Sequence, residues 1–569
     1  MRLEIIRCRC PSHDGTEDRQ RPVVCKLPGL DKVVILAGQM GHGVPQTRFN
    51  WFSRLGPVVL AGLLGLVNLP ANGASLAQTA SQAPPVAATE RPAPATIDAV
   101  LEQAPTVSAV PATTAPPQPA SPPPVFAFTP DQKSLLFQAL VEAPSHGLGD
   151  YLGRIDQVQA LEAEGHVDDS NALLSKLALD YAVAIHAGRL APQEFRVEWG
   201  LRPVAFDPVP GLTSALADNA LPAWLASLPP PYSGYQALRR GLARYQDVAA
   251  SGGWKAVSAG PTLTLGSAGV RVSQLRARLA ADDSSVVTGT APYDAALRAA
   301  VQRAQKRYGL APTGDVGSET LAALNVSLED RIGQILANME RWRWLPPTMP
   351  RDRIQVNVAA AVLSLFKGDA AILSMKAVTG RPGGAETPLL SSQIHSIVLN
   401  PPWNVPSGIA AKELWPKERA RPGYLAANDF IVIPLEGGGS RIQQRAGPKA
   451  ALGLYKFDFA NSYGVYLHDT PSRGAFERYG RLSSHGCVRV EKPNELAKAV
   501  MEGDPNWTPE AIDDAVATGK TQRVKLPSQV AVFLLYWTAF VTADGQVNYR
   551  QDPYGWDRDL LLRLGQHST

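Results

Sequence analysis

Ser483-Ser484-His485-Gly486-Cys487-Val488-Arg489-Val490, read together with His468-Asp469-Thr470, is the stretch around which the chain is organised. Cys487 is the only cysteine after Cys25. Free cysteines are most often small buried hydrophobes. This one follows a glycine directly and has His468 and His485 shortly before it. A thiol nucleophile needs that company: a base to generate thiolate, and a residue without a side chain so that substrate reaches the sulfur.

Around this stretch the apolar residues recur at every second position. After Pro350, Ile354, Val356 and Val358 alternate with Gln355 and Asn357, and Ile372 and Ser374 run into Met375–Val378. Ile394–Leu399, Phe430–Pro434, Gly464–His468 and Val530–Val541 are further strand-like runs bounded by Gly, Pro and Asn. His468 therefore falls at a strand end, and Pro493-Asn494 opens a helix through Leu496–Met501. Residues 351–569 are expected to be β-rich. A long insert, 407–447, carries the glycine-rich stretch Glu436–Ser440.

Upstream the period is helical. Leu174, Leu177, Tyr181 and Ile185 lie on one face of a helix within residues 125–258, and Tyr235–Tyr245 repeats the pattern after Pro229-Pro230-Pro231. His146, His166 and His186 stand there without cysteines or ligand spacing and read as structural or surface residues. Residues 259–326 hold three short helices. Asp294 is the expected N-cap of the second, with Leu297, Val301, Ala304 and Tyr308 on its buried face. A connecting helix with Ile332, Ile335, Leu336 and Met339 leads to Pro346-Pro347.

The 569-residue chain has room for several domains, and its formal net charge of +4 gives no polyanion signal, so no nucleic-acid partner is expected. Arg48 to Arg54, the apolar run Leu55–Leu69 and the small residues at Ser75-Leu76-Ala77 read as a secretory signal. Two outcomes stand, a cleaved signal or an uncleaved inner-membrane anchor; both export the bulk of the chain, to the periplasm. Met40 is well placed as the start, which makes residues 1–39 an expected artefact of start choice and removes Cys8, Cys10 and Cys25. The Cys8-x-Cys10 spacing is too short for a zinc knuckle. Residues 78–124, rich in Ala, Pro, Thr and Gln, are expected to be an extended spacer.

Two resemblances carry these readings further. Gly266-x-x-Gly269-Val270-x-Val272-x-x-Leu275, then Ala300-Val301-x-x-Ala304-Gln305, Gly309-Leu310 and Thr313-Gly314-x-Val316-Gly317 resemble the peptidoglycan-binding-domain-1 family. Ala304 stands where that family usually has Phe, which implies a missing aromatic stacking surface. His468-Asp469-Thr470 followed by Ser484-His485-Gly486-Cys487-Val488-Arg489 resembles the L,D-transpeptidase (YkuD-type) catalytic family. Asn338–Pro346, Asn400–Pro406 and Gly447–Gly453 resemble its large multidomain Gram-negative members, so the likeness runs over about residues 126–565. The implied fold is multidomain α+β: a helical scaffold domain, a small three-helix peptidoglycan-binding-like bundle and a β-rich catalytic domain.

The resemblance implies peptidoglycan stem peptides as partners, a tetrapeptide donor and an amine acceptor, alongside possible envelope proteins; no cofactor or metal is expected. It makes Cys487 the nucleophile, which releases terminal D-alanine through a thioester. On spacing alone His485 competes as base, because residues two apart in an extended chain share a face; the resemblance assigns the role to His468. Asp469 then matters for its position, since a backbone carbonyl after the histidine orients the ring in the family. Gly486 permits close approach at an oxyanion hole, and Ser484 shapes the turn. Arg489 reads as an internal salt bridge or as a cation for a stem carboxylate. Trp403 and Asn404 read as donor-groove lining or as packing, and His395 as core or edge packing. The insert reads as a capping lid or a surface loop. Hydrolysis of the same thioester by an L,D-carboxypeptidase or endopeptidase, a non-catalytic wall-binding protein, and a zinc peptidase using His395, His468 and His485 are the competing functions.

Overall fold

The computed structural model describes residues 23–25, 34–36, 123–542 and 544–565. The expected signal and most of the Pro/Ala-rich spacer lie outside them. The chain divides into two units, 1–93 and 94–569. In the first, Val23–Cys25 pairs antiparallel with Val34–Leu36. Among the described residues no helix is long and apolar enough to cross a membrane.

The second unit begins with six helices: α1 (Pro130–Glu142), α2 (Leu152–Ala163), α3 (Val167–His186), α4 (Pro208–Ala217), α5 (Leu221–Ser227) and α6 (Ser233–Ala250). Thr129 and Gln132 start α1 with a reciprocal capping box, which satisfies two otherwise orphaned N–H groups. Leu174, Leu177, Tyr181 and Ile185 of α3 are all buried, as their spacing requires, and pack with Leu136, Leu140, Val158 and Leu212. His146 is buried against the Tyr235 hydroxyl at 3.0 Å. The Nδ1 of His186 donates to the Leu228 carbonyl at 3.0 Å, whereas His166 is exposed.

Three more helices, α7 (Val270–Ala280), α8 (Ala295–Arg307) and α9 (Ser318–Leu324), form the small bundle. Asp294 caps α8 by accepting from the Leu297 N–H at 2.8 Å. The sequence expectation about Ala304 needs correction. Ala304 is 1% exposed and Gln305, also buried, spends its amide on Gly314, Thr313, Asp315 and Thr320. This position is interior, so a larger aromatic would meet the core and would not form a surface platform. Asp282 ties the bundle to α6: it takes an ion pair from Arg278 at 2.8 Å and hydroxyl donors from Tyr245 and Tyr308, each at 3.0 Å. A buried charge needs that degree of compensation. Helix α10 (Leu328–Trp342) follows; Leu328, Ile335 and Met339 join the bundle core while Ala337 joins the next one.

The β-rich part contains a nine-stranded sheet built from β1 (Asp352–Asn357), β2 (Val362–Lys367), β3 (Ala370–Gly380), β4 (Leu390–Leu399), β8 (Tyr455–Phe459), β9 (Leu467–His468), β10 (Leu482–Ser484), β11 (Val488–Val490) and β12 (Gln522–Leu535). Its order is β10-β3-β11-β9-β8-β4-β12-β1-β2, and β2 also pairs with β3. The long strand β3 reaches β2 with its first half and β11 with its last residues, so the sheet closes into a ring. Alternation explains the filling: Ile354 and Val356 point inward from β1, Leu363 and Leu365 from β2. Phe457, Leu467, Val488, Val490 and Val532 complete the same core. A scaffold segment joins it, with the Leu389 N–H donating to the Glu198 carbonyl at 2.8 Å and the Leu201 N–H to the Leu389 carbonyl at 3.0 Å.

Three short strands, β5 (Trp403–Asn404), β6 (Phe430–Pro434) and β7 (Ser440–Gln444), form a separate sheet in the order β5-β7-β6. The glycines after Glu436 make its hairpin tip, all three at positive φ. With the helical pieces between Ser407 and Ala427 this sheet encloses its own small core of Val405, Ala410, Leu414, Leu425 and Ile442. Helices α11 (Pro493–Val500) and α12 (Trp556–Gly565), the latter packed in the sheet core, flank the ring, with hairpin β13 (Ala539–Val541) and β14 (Val547–Tyr549) against the bundle.

Candidate active site

Parallel pairing of β9 with β11 sets the site. Leu467 pairs with Val488 and His468 with Arg489, while the Val488 N–H donates to the Tyr466 carbonyl at 3.1 Å. Partners across a ladder project to the same face, and successive residues alternate. Leu467 and Val488 are therefore both buried in the ring core, at 0% exposure. Tyr466, His468, Cys487 and Arg489 share the opposite face. Register thus puts the thiol and one imidazole on the same face, as diagonal neighbours across the ladder.

The imidazole is held by backbone. His468 Nδ1 lies 2.5 Å from the Asp469 carbonyl oxygen. A carbonyl only accepts, so Nδ1 carries the proton and Nε2 presents a lone pair. The Asp469 carboxylate serves the turn: Oδ2 accepts from the Leu454 N–H at 2.9 Å, and Oδ1 pairs with Arg473 at 3.2 Å. Burial, then the Arg489 cation, lowers the His468 pKa to about 3. Burial also pushes the Cys487 thiol up, against opposing contributions from Tyr466, Lys456 and Arg489. Burial thus favours the neutral form of both groups.

His485 turns away from this pair. Its Nε2 lies 2.6 Å from Glu413 Oε1 in the π-helical turn Ala410–Leu414 of the insert. Gly486, at φ +113°, breaks the extended alternation on which a shared face with Cys487 depends. Ser484 shapes the turn: its hydroxyl donates to the Cys487 carbonyl at 2.6 Å and accepts from the Gly486 N–H at 3.1 Å. The Gly486 carbonyl accepts from Thr387 Oγ1 at 2.7 Å.

Arg489 has no ion pair among the described residues, and its Nε has no hydrogen-bond partner. The internal salt bridge considered from sequence does not form. Instead the guanidinium acts electrostatically on both Cys487 and His468. Trp403 packs on the insert core, 6.3 Å from the Phe430 ring centroid, and lies near enough to Tyr466 to act on its hydroxyl. Asn404 gives its side-chain oxygen to Gln443 at 2.7 Å, inside the insert sheet.

His395 is exposed, which corrects the packing expected of it. The registers of β4 with β8 and with β12 both shift between Ile394 and Ser396, and a bulge residue leaves the inward–outward alternation. Among the described residues there is no cluster of three or more His, Cys, Asp or Glu side chains placed to hold a metal. A cavity of about 840 Å³ lies behind the Asp469 turn, lined by Tyr455, Arg473, Glu491 and Asn494, and reaches neither Cys487 nor His468. Sequence reasoning missed Glu413 and Thr387, neither of which carries a local signal.

Residues 351–507 match the L,D-transpeptidase catalytic domain family, YkuD. Residues 127–242 match a scaffold domain, and residues 268–324 match the family described as "Putative peptidoglycan binding domain". A Haemophilus influenzae protein described as "Putative L,D-transpeptidase" is 34% identical over 253 residues, 42% of this chain and 50% of that protein. The chain thus spans about half the length of this curated relative. An L,D-transpeptidase structure from Xylanimonas cellulosilytica is similar over 49% of this chain and 98% of its own, at 17% identity with a TM-score of 0.16. One from Mycobacterium smegmatis covers 32% and 58%, at 12% identity with a TM-score of 0.18, and at such scores the likeness says nothing about arrangement. The chain therefore carries an L,D-transpeptidase catalytic domain, in series with a scaffold domain and a peptidoglycan-binding-type domain.

Proposed function

We propose that this protein is a peptidoglycan L,D-transpeptidase of the cell envelope, working in the periplasm, with Cys487 as nucleophile and His468 as base. The observation that supports this reading is the shared face of Cys487 and His468, with Nδ1–H held by the Asp469 carbonyl and Nε2 without a hydrogen-bond partner among the described residues. Nε2 takes the thiol proton as sulfur attacks the carbonyl preceding the terminal D-alanine of a tetrapeptide stem. The tetrahedral intermediate collapses to a thioester, and the imidazolium returns the proton to the departing amine of D-alanine. An acceptor amine then attacks the thioester, an amide forms, and the proton lost from nitrogen restores the thiol through His468.

Arg489, a cation without a carboxylate partner on the same face, suits the negative charge of a stem peptide. The insert, joined to the site through Glu413 and Trp403, acts as a lid that excludes water and so favours amine acceptors over hydrolysis. The bundle positions the catalytic domain on the wall.

Mass spectrometry of the full chain with purified disaccharide-tetrapeptide tests this, with Cys487→Ala alongside. A cross-linked dimer, lighter by one D-alanine and missing with the variant, is expected. Tripeptide alone would establish a carboxypeptidase instead, and unchanged substrate would leave a wall-binding protein.

A further inference from the structure

The backbone groups on either side of the Cys487 N–H are committed. Ser484 Oγ holds the Gly486 N–H and the Cys487 carbonyl, Tyr466 accepts from the Val488 N–H, and Thr387 Oγ1 donates to the Gly486 carbonyl. Among the described residues the Cys487 N–H has no such bond. It is the amide left over in a segment where its neighbours are paired, on the very residue that carries the thiol. In a trans peptide the carbonyl and the following N–H point in opposite directions. Whatever fixes the Gly486 carbonyl therefore aims the Cys487 N–H.

What fixes it is Thr387, at 0% exposure. Its hydroxyl accepts from the Gly380 N–H at 2.8 Å while donating to the Gly486 carbonyl at 2.7 Å. That acceptor bond orients the hydroxyl proton, because the Gly380 N–H occupies a lone pair and leaves the O–H for Gly486. Gly380 must be glycine here: a Cβ would stand 2.1 Å from the Ala385 carbonyl oxygen and 2.6 Å from the Thr387 nitrogen. The bond thus anchors the turn to the end of β3 through a tight chain reversal.

We infer that Thr387 is a positioning residue for acyl transfer, which by gripping the Gly486 carbonyl presents the Cys487 N–H to the oxyanion that forms when the thiol attacks. The inference rests on the transpeptidase reading and extends it to a residue one hundred positions away in sequence. It separates two kinds of sulfur chemistry. Attack on a carbonyl generates an oxyanion and needs the donor. Alkylation by iodoacetamide displaces iodide at a saturated carbon, generates no oxyanion, and needs only thiolate and access.

The experiment measures both reactions on the full chain for wild type, Thr387→Val and Thr387→Ser. Acylation is read as D-alanine release and as intact mass of the thioester, alkylation as loss of the free Cys487 peptide. Thr387→Val is expected to slow acylation by about 10- to 100-fold, chiefly in kcat, since one oxyanion donor is commonly worth about 10²–10³ and here is misaimed instead of removed. Alkylation should stay at the wild-type rate, and Thr387→Ser should restore acylation. Val532→Ala, a cavity on β12 in the ring core outside the Thr387–Gly486 hydrogen-bond relay, serves as a comparator for lost stability. Acylation falling in step with melting temperature in both Thr387→Val and Val532→Ala would overturn the positioning role, as would equal losses of acylation and alkylation in Thr387→Val. Wild-type chain that alkylates but never acylates would overturn the transpeptidase reading itself, and this inference with it.

Discussion

The two sides of Cys487 are built in opposite ways. Towards β9, His468 is 5% exposed and fixed by a bond to backbone, within a ladder whose other face is the ring core. Towards the insert, His485 meets Glu413 side chain to side chain, with 32% and 37% of the two side chains exposed. A contact to backbone inside a packed sheet opens only when the sheet opens. An ion pair in partial solvent is worth about 0.2–1 kcal/mol and breaks readily. On the proposed function, the firmly held side carries the acylating pair and the readily broken side carries the lid.

Replacing His468 by Asn is the strongest attack on this contrast. Loss of a positioned general base typically costs about 10²–10⁴-fold, and the expected fall in kcat/KM with tetrapeptide should lie in that range. A smaller loss than for His485→Asn would reverse the assignment of the two sides. Protonation is the next discriminator. Because burial and Arg489 keep His468 neutral down to about pH 3, kcat/KM should show no acid limb near the ordinary histidine value of 6.5. Because burial raises the thiol, alkylation of Cys487 should rise with pH through a midpoint above the usual cysteine range. Half-maximal alkylation near pH 6 would mean a preformed thiolate–imidazolium pair and different resting states.

The same depression has a stability consequence. Between pH 6.5 and about 3 the unfolded chain takes up a proton at His468 that the folded chain refuses, so stability present above pH 6.5 is lost on acidification. The slope is about 1.4 kcal/mol per pH unit. Urea denaturation at pH 6.5 and 5 should show it, reduced in His468→Asn. His146, lowered to about 3 by burial and the neighbouring arginines, adds a second contribution of the same sign.

Weaker effects belong to the insert. Glu413→Gln removes about 0.2–1 kcal/mol of closure, at most about a fivefold change, read as more hydrolysis per cross-link and faster hydrogen exchange over residues 405–447. Exchange unchanged by the substitution would show that the insert is held elsewhere, with Trp403 and Tyr466 the next candidates. Asp469→Asn should change the rate less than either histidine substitution, since the carbonyl and not the carboxylate holds the ring. His395→Ala, exposed at a bulge, should stay within about 0.5 kcal/mol of wild-type stability.

How much of this was legible beforehand follows the range of the forces. Asp294 as a cap and the buried face Leu297, Val301, Ala304 and Tyr308 depend on neighbours within two turns, and local spacing reveals them. The place of His468 at a strand end was legible from the run Val465-Tyr466-Leu467 that precedes it. Glu413, Thr387 and the bulge at His395 were not, because each depends on a register or a contact set by residues far along the chain. Ala304 was misjudged for a related reason: helical periodicity placed it on the buried face, but the likeness to relatives with Phe there implied an exposed surface.

Ring closure also dictates when the site can exist. Strand β1 runs parallel to β12, with Ile354 opposite Val532, so the ring joins segments separated by most of the catalytic region. Non-local pairings of this kind pay their loop-closure entropy before any contact repays it, and they form late. An emerging chain that has not yet delivered β12 lacks a wall of the core against which Leu467 and Val488 pack. Until then the ladder has β8 and β3 on either side but lacks part of the core behind it. Completion of that core therefore waits on the last long strand.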